Sequence, residues 1–164
     1  MSAISSQNTG KNLETVILNG GTFFKIYNDT GAALANGDVM VVDYSIDLDS
    51  VGAHYIVREP LTGAWPRYIC VVNNSSKGLA TIEDATWGFV QISGFCPLVK
   101  TNGTVTAEDT LEVLTAVRTA QRDTQASANK IVMSAGSFGK AVANVTTDQW
   151  TAILFGIPRA VAAT

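Results

Sequence analysis

The chain has 164 residues, enough for one domain with a core that needs neither disulfide nor metal. Its net charge is −3, only 15% of its residues are charged, and Lys and Arg nowhere cluster. Nucleic-acid binding, which needs several grouped basic contacts, is therefore not expected. Mean hydropathy is +0.19, yet no apolar run reaches the roughly 18 residues of a membrane span. The low charge points to a β-protein rich in Val, Thr, Ala and Gly, or to a subunit that hides surface against neighbours.

Residues 1–12, "MSAISSQNTGKN", are polar and aperiodic. They read as the body of a flexible arm over 1–14, and they lack the basic and apolar regions of a secretion signal. Strands are then expected at "TVIL" (15–18), "TFFKIY" (22–27), "VMVV" (39–42), "HYIV" (54–57), "RYICVV" (67–72), "WGFVQIS" (87–93) and "TAILFGI" (151–157). Turn signals such as Asn19-Gly20-Gly21, Asn36-Gly37, Asn73-Asn74 and Asn102-Gly103 separate them. Short β-branched and aromatic runs punctuated this often predict an all-β domain, a small barrel or sandwich with short irregular or helical inserts.

Within 87–93, Phe89 and Gln91 share one face while Val90 and Ile92 share the other. Trp87 and Trp150 are expected in the core, and Trp65, beside a turn and ahead of a proline, on the surface. Residues 107–122 fit a helical spacing, but Val and Thr favour a strand at "LEVLTAV" with Leu111 and Val113 on one side. Residues 119–130, polar and rich in Ala, Gln and Asn, read as a loop or a frayed helix, and "GSFGK" (136–140) as a turn with a bulge. Residues 158–164 read as a tail.

One phrase occurs twice. "TGAALANGDVMVV" (30–42) and "NGTVTAEDTLEVL" (102–114) both run from a glycine turn through small residues to an acidic turn and an apolar strand. An Asp that opens a strand can accept hydrogen bonds from the turn's own amides. Asp38 and Asp109 are therefore expected to build turns in a duplicated unit.

Chemistry has few candidates. His54 is the single histidine, with no nucleophile elbow and no Cys beside it, so Ser-His-Asp or Cys-His catalysis is not expected. "DLDSVG" (47–52) starts like a calcium loop but places Arg58 where a bidentate carboxylate is required. Zinc lacks four Cys or His ligands, and no glycine pattern cradles a phosphate. Cys70 and Cys96 sit in apolar runs and read as buried free thiols, with a bridge between them left open. No enzyme, metal or cofactor is expected.

"NDTGAALANGDVMVV", "WGFVQISGFCPLV", "TNGTVTAEDTLEV" and "SFGKAVANVTTDQWTAILF" together resemble the capsid decoration, or cement, proteins of tailed bacteriophages. The similarity spans about residues 15–157 and departs from the simplest members around 43–65 and 118–135. It implies a tulip-like β-domain that assembles as a homotrimer on the outer face of an expanded icosahedral head. There it would staple the major capsid protein after synthesis in the host cytoplasm. Under this resemblance the arm, with Ile4 and Leu13, would order on a neighbour. Phe95, Pro97 and Leu98 would meet other subunits, with Trp65 and Arg67 as a further anchor. A β-sandwich recognition module of a phage fibre or carbohydrate-binding type is the alternative.

Overall fold

Each β-branched and aromatic run becomes a strand in the computed structural model, which describes residues 15–18, 20–47, 54–60, 63–114, 117–123, 137–156 and 159–161. In chain order the strands are β1 (Thr15–Leu18), β2 (Gly21–Asn28), β3 (Leu34–Ala35), β4 (Val39–Asp47), β5 (His54–Arg58), β6 (Gly63–Arg67) and β7 (Ile69–Val72). There follow β8 (Thr81–Ile82), β9 (Thr86–Lys100), β10 (Thr110–Val113), β11 (Ala120–Arg122), β12 (Ser137–Thr146), β13 (Gln149–Phe155) and β14 (Arg159–Val161). The domain is all-β; the one helical element among the described residues is a 3-10 turn at Ser75–Lys77. Ten strands form a mixed sheet in the order β1-β2-β5-β4-β7-β9-β13-β12-β10-β11, and β2 also pairs with β9.

That extra pairing closes β2, β5, β4, β7 and the first half of β9 into a five-stranded ring. The second half of β9 begins a second ring with β13, β12, β10 and β11, which closes through a parallel bridge between Thr101 and Ala120. The two rings repeat one plan in chain order. In the first, β2 pairs antiparallel with β9, β4 with β5, β4 with β7, and β7 with β9, while β2 meets β5 in parallel at Ile26 and Tyr55. In the second, β9 pairs antiparallel with β13, β10 with β11, β10 with β12, and β12 with β13. The parallel Thr101–Ala120 bridge stands where Ile26–Tyr55 stood. The chain is a tandem duplication, of which the sequence echo was the visible trace.

The echoed turns match bond for bond. Ala35 N–H donates to Asp38 Oδ2 at 2.9 Å and Thr106 N–H to Asp109 Oδ2 at 2.8 Å. Asp38 N–H returns to the Ala35 carbonyl and Asp109 N–H to that of Thr106. Val72 exchanges backbone bonds with Gly37 and Asp38, as Ala141 does with Glu108 and Asp109. The residue before each Asp is left-handed, Gly37 at φ +90° and Glu108 at φ +73°. Asp38 and Asp109 are turn-builders, as the sequence suggested.

Residues 39–42 of β4, and all of β7, are buried on both faces. Met40, Val42, Cys70 and Val72 point into the first ring with Ile26, Val57, Val90 and Ile92. Val39, Val41, Ile69 and Val71 point out of it and join a second core with Leu111, Val113, Phe138, Trp150 and Leu154. A strand covered on both sides has no solvent face to mark with polar residues, hence the unbroken "VMVV". The ladder positions of Val39, Val41 and Val71 are taken in the second ring by Thr110, Glu112 and Lys140. The duplication therefore ends at a polar face.

Several expectations change. Residues 110–113 are strand, as favoured, with Leu111 and Val113 buried. The stretch 119–130, expected as loop or frayed helix, contains β11, because Leu111 and Val113 supply a ladder for Ala120–Arg122; residues 124–130 lie outside the described residues. "SFGK" is strand instead of turn, with Phe138 as the extra residue of a bulge against Leu111 and Glu112. Trp150 is buried in the second core, but Trp87 is half-buried on the outer face of the first ring. There it meets Tyr27 edge-on and Lys25 lies over its ring. Trp87 shares the outward parity of Phe89 and Gln91, so the ladder that sends Val90 and Ile92 inward sends it out. Arg159–Val161, inside the expected tail, pairs with β6.

Candidate functional site

Gly94 divides β9 between the rings. Its φ is +83°, and an added Cβ would stand 2.6 Å from the Gly20 carbonyl oxygen. Just beyond it come the residues expected at a partner surface. Phe95 is 53% exposed, and Pro97 is exposed too. Cys96 pairs with Ala152 and Val99 with Trp150, so Pro97 and Leu98 together oppose Thr151. A proline, having no N–H to give, sits without loss at such a bulge. Leu98 is half-buried: a Cβ on Gly37 would lie 3.0 Å from its Cγ. It seals the Asn36-Gly37 turn of its own chain. Trp65 and Arg67 lie on β6, but their side chains, like that of His54, fall outside the description. Ile4 and Leu13, and the stretch 48–53 of the failed calcium loop, are likewise outside the described residues.

The structure adds residues that the sequence did not single out. Ile153 is the cross-strand partner of Phe95 and is 42% exposed. Lys140 is the partner of Ile153 on the next strand, and Val142, two residues along, is 45% exposed. Phe95 and Ile153 make an apolar strip on the outside of the second ring, and beyond Lys140 the bulge residue Val142 adds exposed apolar surface. The equivalent pair in the first ring is Phe23 and Gln91, only 7% and 1% exposed. The first ring's strip is roofed by Leu18, Phe95 and Pro97 of the same chain; the second ring's is bare. Ile153 and Val142 could not be found by pattern, because "TAILFGI" reads as any half-buried strand.

Charge gathers where the two rings meet. Asp38 Oδ1 accepts from Lys100 Nζ at 2.5 Å, and Arg118 stands 3.9 Å from Oδ2 while bonding Glu59 at 2.8 Å. Arg118 also donates to the Ala33 carbonyl. Asp38 belongs to the first ring while Lys100 and Arg118 belong to the second, so this set ties the two together. The twin Asp109 has Arg122 at 3.3 Å. These groups tie the rings together, and Glu59 and Arg118 also line an open cavity with Asp29, Thr30, Val57 and Arg58.

Cys70 and Cys96 are free and buried in different cores. Burial pushes the Cys70 thiol far up, and pushes that of Cys96 up to about 12 against a lowering hydrogen bond to the Leu98 carbonyl. Neither is poised as a nucleophile. Among the described residues no group of three or more His, Cys, Asp or Glu side chains is placed to hold a metal ion. No family model matches the chain, and no curated protein or solved structure matches it.

Proposed function

We propose that the chain is a structural capsid decoration protein, which binds the outer surface of an expanded icosahedral phage head as a homotrimer and stabilises it against internal pressure. The observation that carries this reading is the bare Phe95–Ile153 pair, with exposed Val142 on the neighbouring strand. An equivalent strip is covered within the first ring, and the second one lies in a protein that otherwise spends few charges on its surface. Covering a side chain of this kind is worth about 1.5–3 kcal/mol when complete. A subunit seated on several neighbours at once multiplies such modest gains through effective concentration. A part that binds only the expanded lattice stabilises that lattice by mass action. The reading is one of binding and not of catalysis, with the major capsid protein and further copies of the chain as partners.

The test mixes the purified protein with undecorated expanded heads and with unexpanded ones. It saturates the first and ignores the second, and Ile153→Lys lowers occupancy of expanded heads by about tenfold or more, the loss of roughly 1.4 kcal/mol per site. Equal binding to both kinds of head, or to neither, overturns the proposal.

A further inference from the structure

The roof over the first ring's strip is incomplete. Between Leu18, Phe23, Phe95 and Pro97 a half-open pocket of about 450 Å³ remains, within the size range of small-molecule sites. Its walls are apolar, and its floor is made of amides. Gln91 Nε2 donates to the carbonyls of Ser93 at 2.9 Å and Phe95 at 2.8 Å. Both of its hydrogens are thereby used, and the orientation of the amide is settled. Gln91 Oε1 accepts from Asn73 Nδ2 at 2.8 Å, and Asn73 Oδ1 accepts from the Ser75 hydroxyl. These bonds leave one N–H of Asn73, a lone pair on Gln91 Oε1 and the acceptor side of Ser75 oxygen for something else. Ser76 adds a hydroxyl at the rim. Among the described residues, no ionisable side chain lines the cavity.

The second ring serves as an internal control. By ladder position Gln91 corresponds to Ile153, and Asn73, whose N–H reaches the Phe89 carbonyl, corresponds to Ala143, which pairs with Thr151 across a bulge at Val142. The twin lets these places be apolar, whereas the first ring buries two amides there. Burying amides costs free energy unless they are bonded, and the second ring, built on the same plan, has no amide at these places.

We propose that this pocket is a binding site for a neutral saccharide. A sugar hydroxyl both gives and takes a hydrogen bond, which matches a floor that offers an amide N–H beside carbonyl and hydroxyl lone pairs. The C–H face of a pyranose suits the rings of Phe23 and Phe95, and the uncharged lining suits a ligand without charge. The site shares Phe95 with the surface of the shell-binding reading, but it is built on the first ring and needs no second copy.

The experiment records two-dimensional amide spectra of the ¹⁵N-labelled full chain during titration with glucose, galactose and N-acetylglucosamine, with glycerol as a polyol control. At least one sugar moves the side-chain NH₂ signals of Asn73 and Gln91 and the backbone signals of Ser75 and Ser76, saturably, and glycerol does not. Ser76→Arg, a surface change that obstructs the mouth, weakens that response about tenfold or abolishes it. Gln91→Ile, which installs the twin's residue, does the same, and its spectrum reports directly whether the fold is kept. The proposal is overturned if none of the three sugars moves these signals, if glycerol moves them equally, or if Ser76→Arg leaves the response unchanged. Head binding is read separately, from occupancy of expanded heads, so the failure of either reading is distinguishable from the other.

Discussion

Asp38 and Asp109 do the same work with different support, and the difference sets their weights. Each accepts the amide three residues back, but Asp38 is buried and also holds Lys100 and Arg118, one from the strand shared by both rings and one from the loop before β11. Asp109 is more open and has one ion pair, with a half-exposed Arg122. Removing a buried acceptor strands its donors, at about 1–3 kcal/mol for neutral ones and more for charged. Asp38→Ala should thus lower the denaturation free energy by about 3 kcal/mol and Asp109→Ala by about 1 kcal/mol, read from urea midpoints at unchanged slope. Equal losses would show that the ring-to-ring ion pairs contribute nothing. The preceding residue invites the opposite change. Glu108 holds φ +73° where its twin is Gly37, and a non-glycine residue loses about 1–2 kcal/mol there. Glu108→Gly should raise the thermal midpoint despite losing a surface pair with Lys140, because such a pair is worth about 0–1 kcal/mol.

Among the elements, β9 decides the architecture. Its fifteen residues serve two rings, which a single uninterrupted strand could not do without changing direction. Gly94 supplies the change, in a conformation that costs other residues and in a space where Gly20 leaves no room for a Cβ. Gly94→Ala should destabilise the chain by about 2–4 kcal/mol, from strain at positive φ together with displacement of the β1–β2 turn. Hydrogen exchange should show that loss in both rings together, since both ladders end at this point. Protection lost in one ring alone would mean that the rings are independent folding units. β4 and β7 show why an uninterrupted apolar run was readable as a strand but not as a partition. The alternation is present in "VMVV", yet both parities are apolar, so nothing in the run tells which face meets which core.

Taken whole, the molecule keeps two thiols in two separate apolar interiors. A thiol whose folded pKa is raised favours the folded state below its ordinary value, near 9.0, and that contribution is lost as pH climbs through the folded value. Stability should therefore fall as pH rises from about 9 towards 12, the value to which Cys96 is pushed. Replacing both cysteines by Ala should flatten the fall, and a thiol reagent should react only on unfolding. Reaction of the native chain at the rate of a free thiol would contradict the burial. Part of this fold was legible in the residues: the strands of the β-branched and aromatic runs and the two Asp turns follow from local periodicity and turn chemistry, which act over a few neighbours. The sharing of β9 between two rings, the burial of Trp150 but not Trp87, the packing of Leu98 on the Gly37 turn, the bare Ile153 and the amide floor under Phe23 follow from pairings between residues far apart in the chain. Local propensity carries no information about which distant strand will lie alongside, and in this protein that neighbour determines whether a side chain becomes core, roof or open surface.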